Sequence, residues 1–317
     1  MLQPLPGERT PLEAKLRCSG FPLISDRMRI LASVLTTLIL AAPAQAVVIL
    51  DSTWSANGGS EASPSDGFAA HKALAMAPQF AAIFGLHDGE AYGGSATWIG
   101  NDADHGYLLT AAHNFGATAD PGAWTYWSRA GEAYEGIAVE IHPSYNGQSD
   151  DTSGYDLAIV VLDRPVRDAG PQPALYGGRD ELGRVLTITG YGSRGTGSSG
   201  ERDDHYDFDA ETPAAARNVV DEVDGEYGAN NLIVDFDSEE GDASVMGGSD
   251  PVDEMEGILG SGDSGGAAWI RTRQGWAVVA TNTWGDDSVY GSVSGFSRIS
   301  TQLDWIASVF PGIRTAR

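Results

Sequence analysis

The sequence predicts an all-β fold, either a barrel or a sandwich, on two observations. Apolar runs are short and are separated by clusters of Gly, Pro, Asn and Asp, which is typical of strands joined by tight turns. Only one segment, close to the C-terminus, has the apolar spacing of a helix. The chain is also long enough to bury one or two cores.

The individual elements follow in chain order. We expect strands at five apolar runs, at 137–139, 157–162, 185–189, 232–234 and 277–280. The helix follows, with Ser300 as its N-cap, because Leu303, Ile306 and Val309 recur at helical spacing. Pro311 and the glycine after it end this helix.

The motif most informative about function is Gly262-Asp263-Ser264-Gly265-Gly266, which follows Thr110-Ala111-Ala112-His113 and Tyr155-Asp156-Leu157-Ala158 along the chain. A serine hydroxyl becomes a nucleophile when a neutral histidine accepts its proton, and a buried carboxylate holds that imidazole in the correct tautomer. We therefore predict that Ser264 is the nucleophile, His113 the base and then the acid, and Asp156 the orienting carboxylate. Because His113 must be neutral to act as a base, activity should fall in acid.

The glycines around the serine predict an oxyanion hole. Negative charge that develops on the attacked carbonyl oxygen is stabilised by backbone N–H groups aimed at it. We expect the N–H groups of Gly262 and Ser264 to supply this, since glycine adopts the unusual backbone angles that such a loop needs. Gly265 and Gly266 then let the substrate approach closely.

At these motifs the chain resembles the trypsin-like serine peptidases of the chymotrypsin clan, of the secreted bacterial type without disulfides. The resemblance extends over about 80–309, from the strands before His113 to the terminal helix. It implies two antiparallel six-stranded β-barrels with the active site between them and a short C-terminal helix. It also implies a peptidase domain at 80–310, with an N-terminal barrel at about 80–175, a C-terminal barrel at about 176–299 and an acidic insertion at about 193–256.

The same resemblance implies the substrate-binding residues. Trp284 and Gly285 would line the substrate groove by extended-strand pairing, and Thr283 would hydrogen-bond near Asp156. Ser294 and the glycine that follows it would form the opposite wall of the specificity pocket.

The sequence leaves two alternatives for the substrate side chain that the specificity pocket prefers. Ile258 falls where trypsin-like members place the acid at the base of the specificity pocket, which implies an apolar preference. A loop shift of one or two residues would put Glu256 there instead, and basic side chains would then be preferred.

Two departures from the family concern stability and activation. Asn114 and Ser261 stand where many relatives have cysteines, so the stapling disulfides are absent. In many relatives a trimmed N-terminus pairs with the aspartate before the serine, here Asp263. Its partner in this chain is either a side chain or a new terminus formed between residues 47 and 80.

The first 46 residues are interpreted as an export signal. Arg27 and Arg29 precede an apolar run at 30–40, too short to span a bilayer, and Ala44-Gln45-Ala46 matches a small-x-small cleavage site. Translation starts at either Met1 or Met28. The alternative to an export signal is an N-terminal membrane anchor. Residues 47–79 are interpreted as an N-terminal segment or a propeptide. We predict a secreted or periplasmic protein without thiol chemistry, because the single cysteine, Cys18, lies in the leader.

Charge excludes two classes of partner. The net charge of −25 opposes binding to nucleic acid and to anionic membranes, so we expect protein or peptide substrates and a monomer without membrane contact after signal removal. Much of the charge lies between residues 193 and 256, with 19 acidic and three basic residues.

We expect no required cofactor, with calcium as the one candidate. Clustered oxygen ligands at Asp235, Asp237, Glu239 and Glu240 suit calcium, while a solvated acidic loop is the alternative. The spacing lacks the glycine turn and the terminal glutamate of an EF-hand loop.

The leading hypothesis is a secreted serine endopeptidase. The competing class is a binding protein on the same scaffold that keeps the three residues but lacks an assembled oxyanion hole. A third class is an acidic β-sandwich surface module whose motifs agree by chance.

Overall fold

The all-β prediction is confirmed. The structure, a computed structural model, describes residues 47–116, 118–149, 151–202, 212–247 and 251–317, so the predicted export signal lies outside the described residues. The first seven strands of the described part are β1 (Val48–Ile49), β2 (Ile83–His87), β3 (Tyr92–Asn101), β4 (Gly106–Thr110), β5 (Thr125–Ser128), β6 (Ala133–Ile141) and β7 (Ala158–Leu162). Strands β2 to β7 form a closed antiparallel barrel in the order β2-β3-β4-β7-β6-β5, whose core includes Phe84, Leu108, Tyr126 and Ile159.

The remaining strands belong mostly to a second sheet. They are β8 (Ala174–Tyr176), β9 (Val185–Gly190), β10 (Gly195–Thr196), β11 (Gly200–Glu201), β12 (Ala214–Val219), β13 (Glu222–Val223), β14 (Asn231–Asp235), β15 (Gly257–Ile258), β16 (Ala267–Thr272), β17 (Gly275–Gly285), β18 (Val293–Arg298) and β19 (Arg314–Ala316). The main path runs β12-β9-β16-β17-β18-β14-β13, while β8 pairs with β17 and β19. All five strands expected from the apolar runs are present, as β6, β7, β9, β14 and β17.

The second sheet is a half-barrel, which differs from the expected closed barrel of six strands. Its path is open, because the end strands β12 and β13 do not pair with each other. A side chain bridges the opening, because Asn218 Nδ2 donates to the carbonyl oxygens of Asp235 and Gly257 at 2.7 and 3.1 Å. A side-chain amide thus replaces part of the strand-to-strand ladder at this point.

The C-terminal helix is confirmed, and it begins one residue before the expected N-cap. Helix α3 spans Ile299–Val309, and Arg298 holds the N-cap position. Ser300 Oγ contacts Glu181 Oε1 at 3.1 Å, where it joins a buried ion pair between Arg298 and Glu181. Ser300 therefore hydrogen-bonds to the Glu181 carboxylate of this ion pair and does not cap the helix.

Two short helices were not expected from the sequence, α1 (Asp51–Ala56) and α2 (Ala69–Ala75). Helix α2 packs against β12, where His71 Nδ1 lies 2.7 Å from the carbonyl oxygen of Ala215. Strand β1, just before α1, pairs in parallel with β10 and antiparallel with β15. Of the helices described, all are too short or too polar to cross a membrane.

Candidate active site

The predicted base and the predicted orienting carboxylate are in direct contact. Strand β4 ends at Thr110 and leads into a short 3-10 helix, Ala112–Phe115, which carries His113. His113 Nδ1 lies 2.5 Å from Asp156 Oδ2, and the backbone N–H of His113 donates to Asp156 Oδ1 at 2.9 Å. The carboxylate is 1% exposed and the imidazole 15% exposed. An ionised carboxylate only accepts hydrogen bonds, so Nδ1 carries the proton and Nε2 is left as the basic nitrogen.

Ser264 lies in the turn before β16 and lines the same cleft as His113. Its carbonyl oxygen accepts hydrogen bonds from the Ser95 N–H at 2.8 Å and from Asn114 Nδ2 at 3.1 Å. These contacts tie the turn that carries Ser264 to the first barrel. Among the described residues no hydrogen bond yet joins Ser264 Oγ to the imidazole, a contact that often tightens only when substrate is bound.

Two N–H groups beside the nucleophile are available. Neither the Gly262 N–H nor the Ser264 N–H donates to an acceptor among the described residues. Gly262 has a φ of 90°, and its carbonyl oxygen accepts from Ser95 Oγ at 3.0 Å. The Ser261 carbonyl oxygen, which belongs to the same peptide group as the Gly262 N–H, accepts the Ser193 N–H at 2.5 Å. Both donors, without an acceptor in the described part of the chain, suit a developing oxyanion.

The buried Asp263 carboxylate contacts the first described residue of the chain. Asp263 is 0% exposed, and its oxygens accept N–H groups from Val47 at 3.1 Å, Gly192 at 3.0 Å and Gly260 at 2.9 Å. Burial raises the pKa of Asp263 to about 7, against the effect of these three donors. Val47 is itself fully buried and leads into β1. This contact gives Asp263 the partner that the sequence left undetermined.

The cleft beside Ser264 has a volume of about 370 Å³ and brings together several of the predicted substrate-binding residues. Thr283, Trp284 and Gly285 all line it. Thr283 does not reach Asp156, however, because its hydroxyl donates to the Gly295 carbonyl oxygen at 2.9 Å. That part of the prediction is wrong.

The predicted pocket base and opposite wall lie elsewhere. Ile258 is 1% exposed and packs in a small core with Val48 and Phe236, because β15 pairs with β1. Glu256 is equally buried and accepts the N–H of Val252 at 2.6 Å, so neither alternative for the pocket base reaches the cleft. Ser294 is also buried outside the cleft lining.

The sequence analysis missed two acidic residues of the cleft, Glu201 and Asp286, and Glu201 is the less exposed of them. Its Oε1 lies 3.0 Å from the Ser261 nitrogen and 3.0 Å from Ser288 Oγ. No motif marks this glutamate, since it is one of many acids in the acidic insertion and reaches the cleft only through the β10–β11 hairpin.

The predicted calcium ligands do not converge. Asp235 and Asp237 are buried, whereas Glu239 and Glu240 are exposed. Asp235 Oδ2 already accepts two N–H groups, from Val245 and Met246, both at 2.7 Å. Within the described ranges, no group of three or more His, Cys, Asp and Glu side chains could hold a metal ion. The calcium prediction thus finds no ligand set in this part of the chain.

The architecture is that of the trypsin-like serine proteases of the chymotrypsin clan, as the resemblance implied. Among solved structures the chain is similar to neuropsin, a serine protease expressed in the limbic system of mouse brain. The TM-score is 0.53 with 16% sequence identity, over 73% of this chain and 96% of that one. No protein-family model and no curated protein matches the chain. At this identity the likeness establishes the fold, so any statement about activity depends on the site itself.

Proposed function

We propose that the protein is a secreted serine endopeptidase that cleaves peptide bonds through Ser264, His113 and Asp156. The observation that carries this proposal is the contact of 2.5 Å between His113 and Asp156 at the edge of the cleft that Ser264 lines. The trypsin-like fold supports a hydrolase of this clan. The cleft gives a peptide access to His113 and Ser264, while Asp156 stays buried behind the imidazole.

The reaction proceeds by acyl transfer. Ser264 Oγ attacks the substrate carbonyl carbon as its proton passes to His113 Nε2, and the carbonyl oxygen becomes an anion held by the N–H groups of Gly262 and Ser264. The C–N bond then breaks, and His113 returns the proton to the leaving amine. Water, deprotonated by His113, attacks the acyl-enzyme and releases the carboxylic acid and Ser264.

We further infer that the mature chain begins at Val47, the residue after the predicted cleavage site. The Val47 nitrogen lies 3.1 Å from a fully buried carboxylate oxygen of Asp263, and Val47 has a φ of 55°, a strained value for a β-branched residue. Cleavage before Val47 removes this torsional constraint and turns the N–H into a cationic amine. The amine would then pair with Asp263, whose buried charge needs such a partner.

A catalytically silent binding protein is the competing function. That alternative requires an oxyanion hole that is not assembled. The N–H groups of Gly262 and Ser264, which have no acceptor among the described residues, favour the enzyme.

Labelling with a fluorophosphonate, which reacts with an activated serine, tests the proposal. The protein that begins at Val47 should be labelled, and Ser264→Ala should abolish labelling. Ser308→Ala, at an exposed serine of α3, serves as the control and should be labelled like the wild type. A folded wild-type protein that takes up no label would overturn the proposal and favour the binding protein.

A further inference from the structure

We propose that Glu201 is the residue that determines substrate specificity, and that it selects peptides with Lys or Arg before the cleaved bond. This inference rests on the proposed endopeptidase function, which it deepens by naming the substrate class. The cleft residues, their hydrogen bonds and their charges carry it.

Glu201 stands where two walls of the cleft meet. The β10–β11 hairpin places it there, and its Oε1 accepts the backbone N–H of Ser261, three residues before the nucleophile, at 3.0 Å. The same oxygen lies 3.0 Å from Ser288 Oγ, in the loop that follows β17. One carboxylate oxygen thus joins the wall before Ser264 to the wall beyond β17, in a chain that has no disulfide to do so.

The partner of Glu201 on the second wall is itself fixed. Ser288 is 5% exposed and has a φ of 52°, which a residue with a Cβ adopts only where its surroundings enforce it. Its hydroxyl lies within hydrogen-bond distance of both Glu201 and the Leu259 carbonyl oxygen, at 3.0 and 2.9 Å. The position of the Glu201 carboxylate is therefore set before any ligand arrives.

The second oxygen of Glu201 is available to a ligand. Oε2 accepts no hydrogen bond from a described residue. Asp286 adds another carboxylate to the lining, with Oδ1 bound to the Val293 N–H at 2.7 Å. No Lys or Arg occurs among the described residues that line the cleft. A cationic side chain is the group that such a lining favours, because it forms a charge-assisted hydrogen bond where solvent is partly excluded.

The acid that we expect to bind the basic side chain of the substrate is therefore Glu201, and not Glu256, the acid that the sequence alignment suggested. Ile258 and Glu256 lie in the protein core, and the cleft volume of about 370 Å³ is within the range of small-ligand sites. Its charge comes from a hairpin far earlier in the chain. We therefore expect basic specificity without a charge at the usual pocket base.

A peptide library tests the preference directly. The wild type should cleave after Lys and Arg, and Glu201→Gln, which keeps an acceptor for Ser261 and Ser288, should lower kcat/KM for these peptides by about 30-fold or more. Cleavage after neutral residues and the rate of fluorophosphonate labelling should change less than about threefold. Asp287→Asn, at an exposed acid outside the cleft lining, is the charge-matched control and should behave as the wild type.

Binding of a small cation tests the same carboxylate without turnover. Benzamidine and its neutral analogue benzamide are titrated by calorimetry into the wild type and into Glu201→Gln. Benzamidine should bind the wild type more tightly than benzamide does, and the substitution should remove most of that difference. Equal binding of the two compounds, or a Glu201→Gln protein that keeps its basic preference, would overturn the inference. If the protein is labelled by fluorophosphonate but prefers apolar residues, only the role of Glu201 is refuted. If the protein is not labelled, the proposed function is refuted.

Discussion

At the residue scale, both oxygens of the Asp156 carboxylate position His113. Oδ1 fixes the backbone at His113 and Oδ2 fixes the ring, so the imidazole is held at two points. In the proposed reaction the buried carboxylate would also stabilise the imidazolium that forms. Loss of the charge should therefore affect the rate far more than the fold.

Asp156→Asn should lower kcat by about 10⁴-fold, because an amide that donates to Nδ1 stabilises the wrong tautomer of His113. The rate is measured with a peptide substrate, and thermal unfolding confirms that the variant is folded. Asp163→Asn, at a partly exposed acid paired with Arg164, is the control and should keep the wild-type rate. A fall of less than about tenfold in Asp156→Asn would contradict the assigned role.

Gly265 is the residue where backbone geometry limits the site most tightly. It has a φ of 87°, and a Cβ there would lie 2.1 Å from the Ser95 carbonyl oxygen and 2.1 Å from Thr110 Oγ1. Gly265→Ala should displace the nucleophile's turn and lower kcat by about 100-fold, the effect of a shift of about 1 Å. Gly228→Ala shares the positive φ, 78°, but meets nothing within 4 Å, so it isolates the backbone strain. Equal activities of the two variants would remove the steric argument.

At the element scale, the strands and α3 could be predicted because each carries its own period of apolar residues. The half-barrel could not be predicted, since the Asn218 amide that bridges its opening meets two carbonyl groups distant in sequence. Helices α1 and α2 were missed for a related reason. They are six and seven residues long, and α2 is stabilised by packing against β12, not by a helical pattern of its own.

Strand β1 links Val47, the first described residue, to the turn that carries Ser264. Because it pairs with β10 and β15, it holds Val47 against Asp263 and also supports the hairpin that carries Glu201. When Val47 carries a free amine, we therefore expect the pairing of β1 to order the turn of Ser264 and the hairpin of Glu201.

A protein with a removable N-terminal fusion that leaves Val47 as the first residue tests this. Fluorophosphonate labelling should rise at least tenfold after the fusion is removed, since an amine paired with buried Asp263 replaces a neutral N–H. A matched fusion that leaves one extra glycine before Val47 should stay at the low rate. Mass spectrometry of the exported protein should find Val47 at its N-terminus, and a terminus well beyond β1 would contradict the inference.

At the scale of the whole molecule, local motifs were enough to predict that His113 and Asp156 are in contact and that Ser264 lines the same cleft as His113. Glu201 and the Val47 contact could not be predicted, because each depends on a hairpin or strand docking far from its own position in the sequence. The many acidic residues made Glu201 harder to find, since no sequence motif distinguishes one acid from another and only the fold shows which of them are buried. Burial of these acids also has a consequence for stability.

Two acids beside the second sheet, the half-buried Asp221 and the buried Glu256, should make the fold less stable as pH rises. Burial raises the pKa of Asp221 from 3.8 to about 7, with Asp235 nearby adding to the rise, and burial raises the pKa of Glu256 from 4.5 to about 8. Folded chains therefore hold protons that unfolded chains release, so this stabilisation is complete below about pH 4 and is lost as the pH rises toward 7 and 8.

Asp221→Asn should flatten this pH dependence and raise Tm at pH 8 by a few degrees, because an amide bears no charge and can donate to a neighbouring carboxylate. The increase should correspond to about 1 kcal/mol, below the full value for such a pKa shift, since Asp221 is only partly buried and solvent screens its charge. Thermal unfolding between pH 4.5 and 8.5 measures it, with exposed Asp104→Asn as the control. If Asp221→Asn and the wild type lose stability in parallel over this range, the Asp221 carboxylate does not contribute to the pH dependence. If only Asp221→Asn resists the loss, the carboxylate is its source.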